Sequence, residues 1–205
     1  QLRCSWRLTG AKTLNTLANS VFGKAQIAGE YLLRRSGPMS MAPSQLGAFA
    51  KSRPDVATAD LEYHVQPLSL DAFGEPLHDF PAITASECHL RPESRGEVRL
   101  ASSNPLDAPL ISPNFLSSKG DRLVAKDAIN LTRKIMSQPA LQQYQPKEYK
   151  PGSQAQTDCD LIQAAGDIGT TIFHPTSSVR MGKDATAPLT EKLQLRGIEG
   201  LRVVD

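Results

Sequence analysis

Cysteine is scarce in this 205-residue chain, and aromatic residues make up only 5 % of it. Cys4, Cys88 and Cys159 are odd in number, widely spaced and form no C-x-x-C pair. That argues against a disulfide framework and for a reducing compartment. The expected address is the cytoplasm, with membrane association left open for a longer parent protein. Long apolar runs are missing as well, so no transmembrane segment is expected. Charge of one sign is missing too: 23 Lys and Arg against 21 Asp and Glu leave a formal charge of +2. Acids and bases are interspersed, which removes the basic stripe that nucleic acid requires. The first ten residues hold Arg3, Trp6 and Arg7 and no apolar stretch of a signal peptide. The absence of an initial Met leads to the expectation that the chain is cut from something longer.

Several chemical signatures are also absent. There is no G-x-G-x-x-G and no G-x-x-x-x-G-K-[ST], so the chain carries no phosphate-cradling loop of its own. There is no G-x-S-x-G nucleophile elbow. The four histidines, His64, His78, His89 and His174, do not pair at metal-ligand spacing, and no metal site is expected. Cys88 reads as a buried thiol in an apolar-alternating run.

What is present is a globular mixture, 40 % hydrophobic and 21 % charged, long enough for one good core or for one domain plus part of another. From Thr13 to Arg35, Leu14, Leu17, Val21, Phe22, Ala25, Ala28 and Leu32 recur at helical steps. Gly23 is expected to divide that region into two helices, and Ser36-Gly37-Pro38 to stop it. In "DLEYHVQPL", Leu61, Tyr63 and Val65 alternate with Glu62, His64 and Gln66, a strand pattern. A second strand is expected over 83–91, with "RPESRG" as a turn and "EVRLAS" pairing back as a hairpin. The proline-rich 102–116 reads as an ordered loop. A helix follows over 121–137, with Leu123, Ala128, Leu131 and Ile135 on one face and Pro139 beyond it. Residues 143–156 read as a polar connection. A short helix fits 157–165, with Thr157 as N-cap and Gly166 as its stop.

One loop crowds a histidine, hydroxyls and a glycine together: "IFHPTSSVRMG", 172–182. Pro175 pushes His174 out of helical and into extended backbone. Thr176, Ser177 and Ser178 suit a tight loop. Adjacency alone does not set Ser177 or Ser178 on an imidazole nitrogen, so a serine nucleophile is not inferred. A rigid mount suits a general base, which must lie within hydrogen-bond reach of one proton. A strand-end histidine satisfied by a carbonyl explains the same residues.

"FHPTSSVRMG" followed by "LQLRGIEGLRVVD" resembles the C-terminal signature of the glucose–methanol–choline (GMC) family of flavin-dependent alcohol oxidoreductases. "KTLN" (12–15), "YLLRRSGPMS" (31–40) and "LRPESRGEVRLASSNPLDAPLISPNFL" (90–116) fall in the family's order, closest to its choline-dehydrogenase-like branch. Ser178-Val179 stands where many members have Thr-Cys. The resemblance implies an α+β fold: an antiparallel sheet flanked by helices, the substrate-binding domain, plus part of the segment returning to the FAD domain. It assigns 1–166 to the first, and 167–205 to the histidine loop and that returning segment. It implies that His174 is the active-site base beside FAD, as hydride passes from a CH–OH carbon to flavin N5. An imidazole suits that role, because its charge changes near neutral pH. The resemblance also implies that Asp205 lies against the FAD and that His64 is a substrate-binding candidate. The alternation leaves His64 facing either cavity or solvent. Residues 39–52 either line the substrate entrance or form a loop with an apolar anchor.

The implied partners are a small-molecule alcohol and the FAD domain of the same protein, which would hold most of the cofactor. The fragment alone is expected to be inactive, and its uncovered docking surface leaves room for self-association. A choline cage would need clustered aromatics, which the sequence lacks, so a general primary alcohol fits at least as well. The alternative is a non-catalytic binding or interaction module derived from such an enzyme.

Overall fold

The computed structural model describes residues 1–204. In chain order its elements are β1 (Leu2–Arg7), α1 (Leu14–Ala18), α2 (Val21–Arg34), β2 (Leu46–Ala50), β3 (Leu61–Gln66), β4 (Ala82–His89), β5 (Glu97–Arg99), β6 (Leu110–Ser112), α3 (Lys119–Met136), α4 (Pro139–Gln142), β7 (Lys147–Lys150) and α5 (Asp158–Ile168). They form two compact units. One comprises residues 1–93 with 116–170; the other comprises 94–115 with the chain from 171 onward.

The first unit is built on a five-stranded sheet in the order β2-β3-β4-β1-β7, antiparallel throughout. Strand parity divides its residues between two faces. Leu2, Cys4, Trp6, Leu61 and Ala85 pack with Val124, Ala125, Ala128 and Ile129 of α3 and with Leu161 and Ala165 of α5. This is the expected α+β arrangement, an antiparallel sheet flanked by helices. Arg133 of α3 grips Glu148 of β7 through two hydrogen bonds of 3.0 and 2.9 Å. Thr157 caps α5 as its sequence indicates, in a reciprocal box with Asp160.

Several local expectations are corrected. The segment "EVRLAS" does not pair with β4. β5 pairs with β6 in the second unit, Val98 opposite Ile111. Pro109 and Pro113 flank the three-residue β6 rather than interrupt it, so the proline-rich loop holds a strand after all. The polar connection 143–156 contains β7, recruited to the edge beside β1. The N-terminal residues form the strand β1, and α5 runs past Gly166 to Ile168. There the chain is drawn to β1, with Thr170 N–H donating to the Gln1 carbonyl at 2.8 Å. On α3 the buried face is Val124, Ala125, Ala128, Ile129, Thr132 and Met136. Leu123, Leu131 and Ile135 lie outside it, because the polar Thr132 belongs to the core network described below.

The helical region breaks at Asn19-Ser20, not at Gly23, which lies within α2 and caps onto Ser20 Oγ. Its glycine has a steric cause. A Cβ there would stand 2.1 Å from the Leu17 carbonyl oxygen. The apolar periodicity of α2 is real, but Val21, Phe22, Leu32 and Leu33 remain largely exposed.

Within the core lies a buried carboxyl. Glu87, 1 % exposed, contacts Thr132 Oγ1 and the Cys4 thiol. Thr132 Oγ1 also meets Tyr63 Oη at 3.0 Å and the Ala128 carbonyl at 2.9 Å. Thr132 has one proton, which the Ala128 carbonyl can take. Tyr63 and a protonated Glu87 then both donate to Thr132 Oγ1, and all three contacts are satisfied. Burial pushes the Glu87 carboxyl up to about 8, in agreement with that count.

Two predictions follow from these contacts. With a folded pKa near 8 against 4.5 for a free carboxyl, the folded chain holds the extra proton between those values. Stability therefore falls as pH rises through that window. Glu87→Gln keeps a neutral donor and is expected to flatten the fall, read from urea unfolding at pH 5 and pH 8.5. Equal pH dependence in both proteins would contradict the assignment. Separately, Gly→Ala within a helix ordinarily gains about 1 kcal/mol. At Gly23 the clash with Leu17 should reverse the sign and cost about 1–3 kcal/mol, measured as a lowered urea midpoint.

Candidate functional site

The histidine loop lies in the second unit. His174 is exposed and stands between two residues in left-handed backbone, Phe173 at φ 63° and Ser177 at φ 66°. For a bulky aromatic residue that conformation is an outlier. Phe173 N–H donates to Thr171 Oγ1 at 2.9 Å, which fixes the entry to the loop. His174 itself has non-helical backbone, as Pro175 dictates. No hydrogen bond or ion pair engages its imidazole among the described residues. The strand-end histidine tied to a carbonyl is therefore not what the structure shows.

The exit of the loop is held by a charge clamp. Arg180 forms a bidentate pair with Asp184, both contacts 2.8 Å, and reaches Thr186 Oγ1 at 2.6 Å. Thr186 N–H donates to Asp184 Oδ1 at 3.1 Å. The arginine holds the Asp184 carboxyl far below the usual range. Gly182 makes this possible: a Cβ on it would lie 2.9 Å from Asp184 Oδ2 and 3.0 Å from the Ala187 Cβ. Gly182 N–H donates to the Leu189 carbonyl and Leu189 N–H to the Arg180 carbonyl, and Arg196 closes the same turn onto the Ala187 and Gly182 carbonyls. The Met-Gly of the motif is thus part of the loop's anchor.

His64 lies in the first unit, on β3. Its side chain is 34 % exposed, with Nε2 3.5 Å from Glu62 Oε1. It is in register with Gly47 on β2 and Ser86 on β4, on the face opposite α3 and α5. Ser86 is in turn opposite Arg3. His64, Ser86 and Arg3 thus form a cross-strand row. Beside it run Gln66, Thr84 and Ser5. Arg3 was not singled out from the sequence; the alternation Leu2-Arg3-Cys4-Ser5-Trp6-Arg7 was the signal that could have found it. His78 and His89 are structural. His78 Nδ1 meets Ser69 Oγ at 2.8 Å and its ring stacks on Phe80, while His89 faces Asp121 at 3.5 Å. Asp205 lies outside the described residues.

The second unit has two shallow concavities, of about 310 and 650 Å³. The larger is lined by Thr190, Gln194 and 195–202, and neither is lined by His174. No cluster of His, Cys, Asp and Glu suited to a metal occurs among the described residues. No described helix is long and apolar enough to cross a membrane.

Comparison with known proteins bears on this arrangement. A family profile described as GMC oxidoreductase matches residues 92–205, more than half of the chain. The chain belongs to the GMC oxidoreductase family. It is 36 % identical over 186 residues to the oxygen-dependent choline dehydrogenase of Vibrio vulnificus, covering 90 % of this chain and 33 % of that protein. It is 35 % identical over 190 residues to the protein of the same name from Escherichia coli, with the same coverage. The chain thus spans about a third of the length of the curated relatives it matches. Among solved structures, formate oxidase of Aspergillus oryzae superposes over all of this GMC chain and 40 % of its own, with a TM-score of 0.87 at 20 % identity. Pyridoxine 4-oxidase from Mesorbium loti gives 0.75 at 20 % identity, over all of this chain and 37 % of its own. At such identities the likeness shows the fold.

The clamp leads to a prediction about the loop. Asp184→Asn removes the negative partner of Arg180 and should speed amide exchange at Gly182, Thr186 and Leu189, read by hydrogen–deuterium exchange at pH 7. In the wild type, the depressed Asp184 pKa means that the clamp persists on acidification and opens only as pH falls through that depressed value. Unchanged exchange in the variant would show that the turn is held by its backbone alone.

Proposed function

We propose that this chain is the substrate-side part of an FAD-dependent alcohol dehydrogenase or oxidase of the GMC family, with His174 as its active-site base. The observation that carries the reading is the exposed imidazole, unengaged among the described residues, on a loop fixed by strained backbone before it and a charge clamp after it. Strain of that kind costs about 1–3 kcal/mol per residue and persists where the surroundings over-determine it. Membership of the GMC family supports reading such a mount as the place of an active-site base.

The residues fit a flavin in part. The chain has no glycine-rich diphosphate turn, so it offers FAD a group for the reacting edge rather than a grip on the phosphates. His174 would face that edge, and Asp205 would lie against the cofactor. FAD, when bound, would supply the two-electron acceptor for oxidation of the CH–OH group to an aldehyde or ketone. His174 takes the hydroxyl proton on a ring nitrogen. Its loop restrains the backbone that carries the ring before substrate arrives, which reduces the ordering left to the reaction. The exposed apolar side chains of α2 support a docking role against the rest of the parent protein. On this reading the 205 residues alone are inactive, and 1–166 and 167–205 serve substrate and cofactor respectively.

The test uses the FAD-loaded parent enzyme, wild type against His174→Ala, with one primary alcohol under anaerobic conditions. A positioned base is worth ~10²–10⁴ in rate, or ~3–5 kcal/mol of barrier. Flavin bleaching should therefore slow at least a hundredfold while bound FAD is retained. Bleaching at the wild-type rate would remove His174 from the chemistry, and a parent that holds no FAD would favour the non-catalytic module.

A further inference from the structure

Among the described residues, most of the unsatisfied buried polar atoms gather on one side of the sheet, His78 Nε2 and Glu87 Oε2 being the exceptions. Arg3 Nε, Nη1 and Nη2, Ser5 Oγ, Gln66 Oε1 and Gln1 Oε1 all lack a hydrogen-bond partner. By strand parity Arg3, Ser5 and Gln66 share the sheet face opposite α3 and α5, and Gln1 immediately precedes β1. Buried polar groups are nearly always paired, so a concentration of exceptions on one face marks a place built for something. Arg3 is the unusual member. The residue is 6 % exposed, and no carboxylate among the described residues meets its guanidinium. Glu87, a buried acid of the same unit, belongs to the other face. Desolvation lowers the Arg3 pKa and no acid offsets it, yet a guanidinium keeps its charge in proteins. A buried cation without an anion is among the costliest arrangements a core can hold.

The surroundings restrict how an anion would approach. The Phe73 ring lies 4.4 Å from the guanidinium carbon and occupies one face of the plane. The N–H groups remain at the edge, and edge-on donation by a planar fork matches a carboxylate. Phe73 is itself 51 % exposed, so Arg3 lies one side chain beneath the surface. The segment carrying Phe73 is held from behind. Asn15 donates to the Ser69 and His78 carbonyls, both at 2.9 Å, and accepts from Ser69 N–H at 2.8 Å. Lys150 Nζ meets Asp71 at 2.5 Å.

Arg3 also stands in the row Arg3–Ser86–His64. Neighbouring strands are ~4.8 Å apart, so the two outer residues have backbones about 10 Å apart. A small molecule can touch both side chains at once. We propose that Arg3 anchors the carboxylate of a small organic acid on this sheet face. Ser5 and Gln66 add a hydroxyl and an amide oxygen on the same face, suited to the polar remainder of such a ligand. A quaternary ammonium is the wrong charge for this site.

The test measures binding separately from turnover. The parent holoenzyme and its Arg3→Met variant are titrated calorimetrically with glycolate and acetate, with ethylene glycol as neutral control and inorganic phosphate as second anion. Thermal midpoints are recorded without added ligand. Wild type should bind both carboxylates saturably and ethylene glycol at least tenfold more weakly. Arg3→Met should lose at least tenfold in carboxylate affinity, yet melt at or above the wild-type temperature, because an uncompensated buried charge has gone. An arginine with a purely structural role would lower the midpoint instead. No saturable carboxylate binding, together with a destabilised Arg3→Met, overturns the proposal and shows that Arg3 is matched by a carboxylate of the parent protein itself. Binding of phosphate alone overturns the carboxylate assignment. The outcome of His174→Ala does not bear on carboxylate binding, so failure of the base and failure of the anion site are distinguishable.

Discussion

The register of β1 against β4 sets the identity of both faces of the sheet. Cys4 lies opposite Ala85 and Arg3 opposite Ser86. A slip of one residue would turn Arg3, Ser5 and Arg7 toward α3 and α5 and expel Cys4 and Trp6. Burying three such residues against Val124, Ala128 and Ile129 would be prohibitive, so hydrophobic patterning fixes this register firmly. The same choice leaves a row of polar side chains on the other face. The core and the candidate ligand surface are two consequences of one alignment.

That alignment also places Glu87 among Cys4, Tyr63 and Thr132. In a core otherwise dominated by apolar side chains, a carboxyl is tolerable only as a neutral donor. The hydroxyls of Tyr63 and Thr132 provide the geometry for that. The network spans β1, β3, β4 and α3, so it ties the helix layer to the sheet by directional bonds as well as by packing. The two faces treat charge in opposite ways. The helix-side face neutralises its acid by protonation, whereas the other face keeps a guanidinium that cannot be neutralised in that way.

Much of the architecture was legible in the sequence. Alternation in "LEYHV" located β3, helical periodicity located α3, and Thr157 and Asp160 announced the start of α5. What failed was what depends on non-local pairing. β5 reads as the return strand of a hairpin because it follows a turn, yet it pairs with β6. β7 is recruited from a polar stretch because β1 offers it an edge. The buried face of α3 was misread because Thr132 is polar, and only the location of Glu87 explains its burial. At the candidate site, the extended backbone of His174 was legible from Pro175. The left-handed backbone at Phe173 and Ser177 was not, since neither residue type favours it. The role of Gly182 became visible only with Asp184 folded back on Arg180.

Stability and function pull apart at the two candidate positions, and in different ways. At His174 the cost is conformational: a phenylalanine is held where a glycine would be comfortable. A bidentate ion pair, two hydroxyl contacts and the backbone bonds of Leu189 with Gly182 and Arg180 lie close enough in sequence to hold the loop's exit. At Arg3 the cost is electrostatic, and among the described residues only the Phe73 ring, with no carboxylate, stands against it. A loop can be braced by its own neighbours, whereas a buried cation needs a counter-charge. An unmatched guanidinium therefore points to a partner more strongly than strained backbone does. It also indicates the sign of that partner's charge, which strain cannot do.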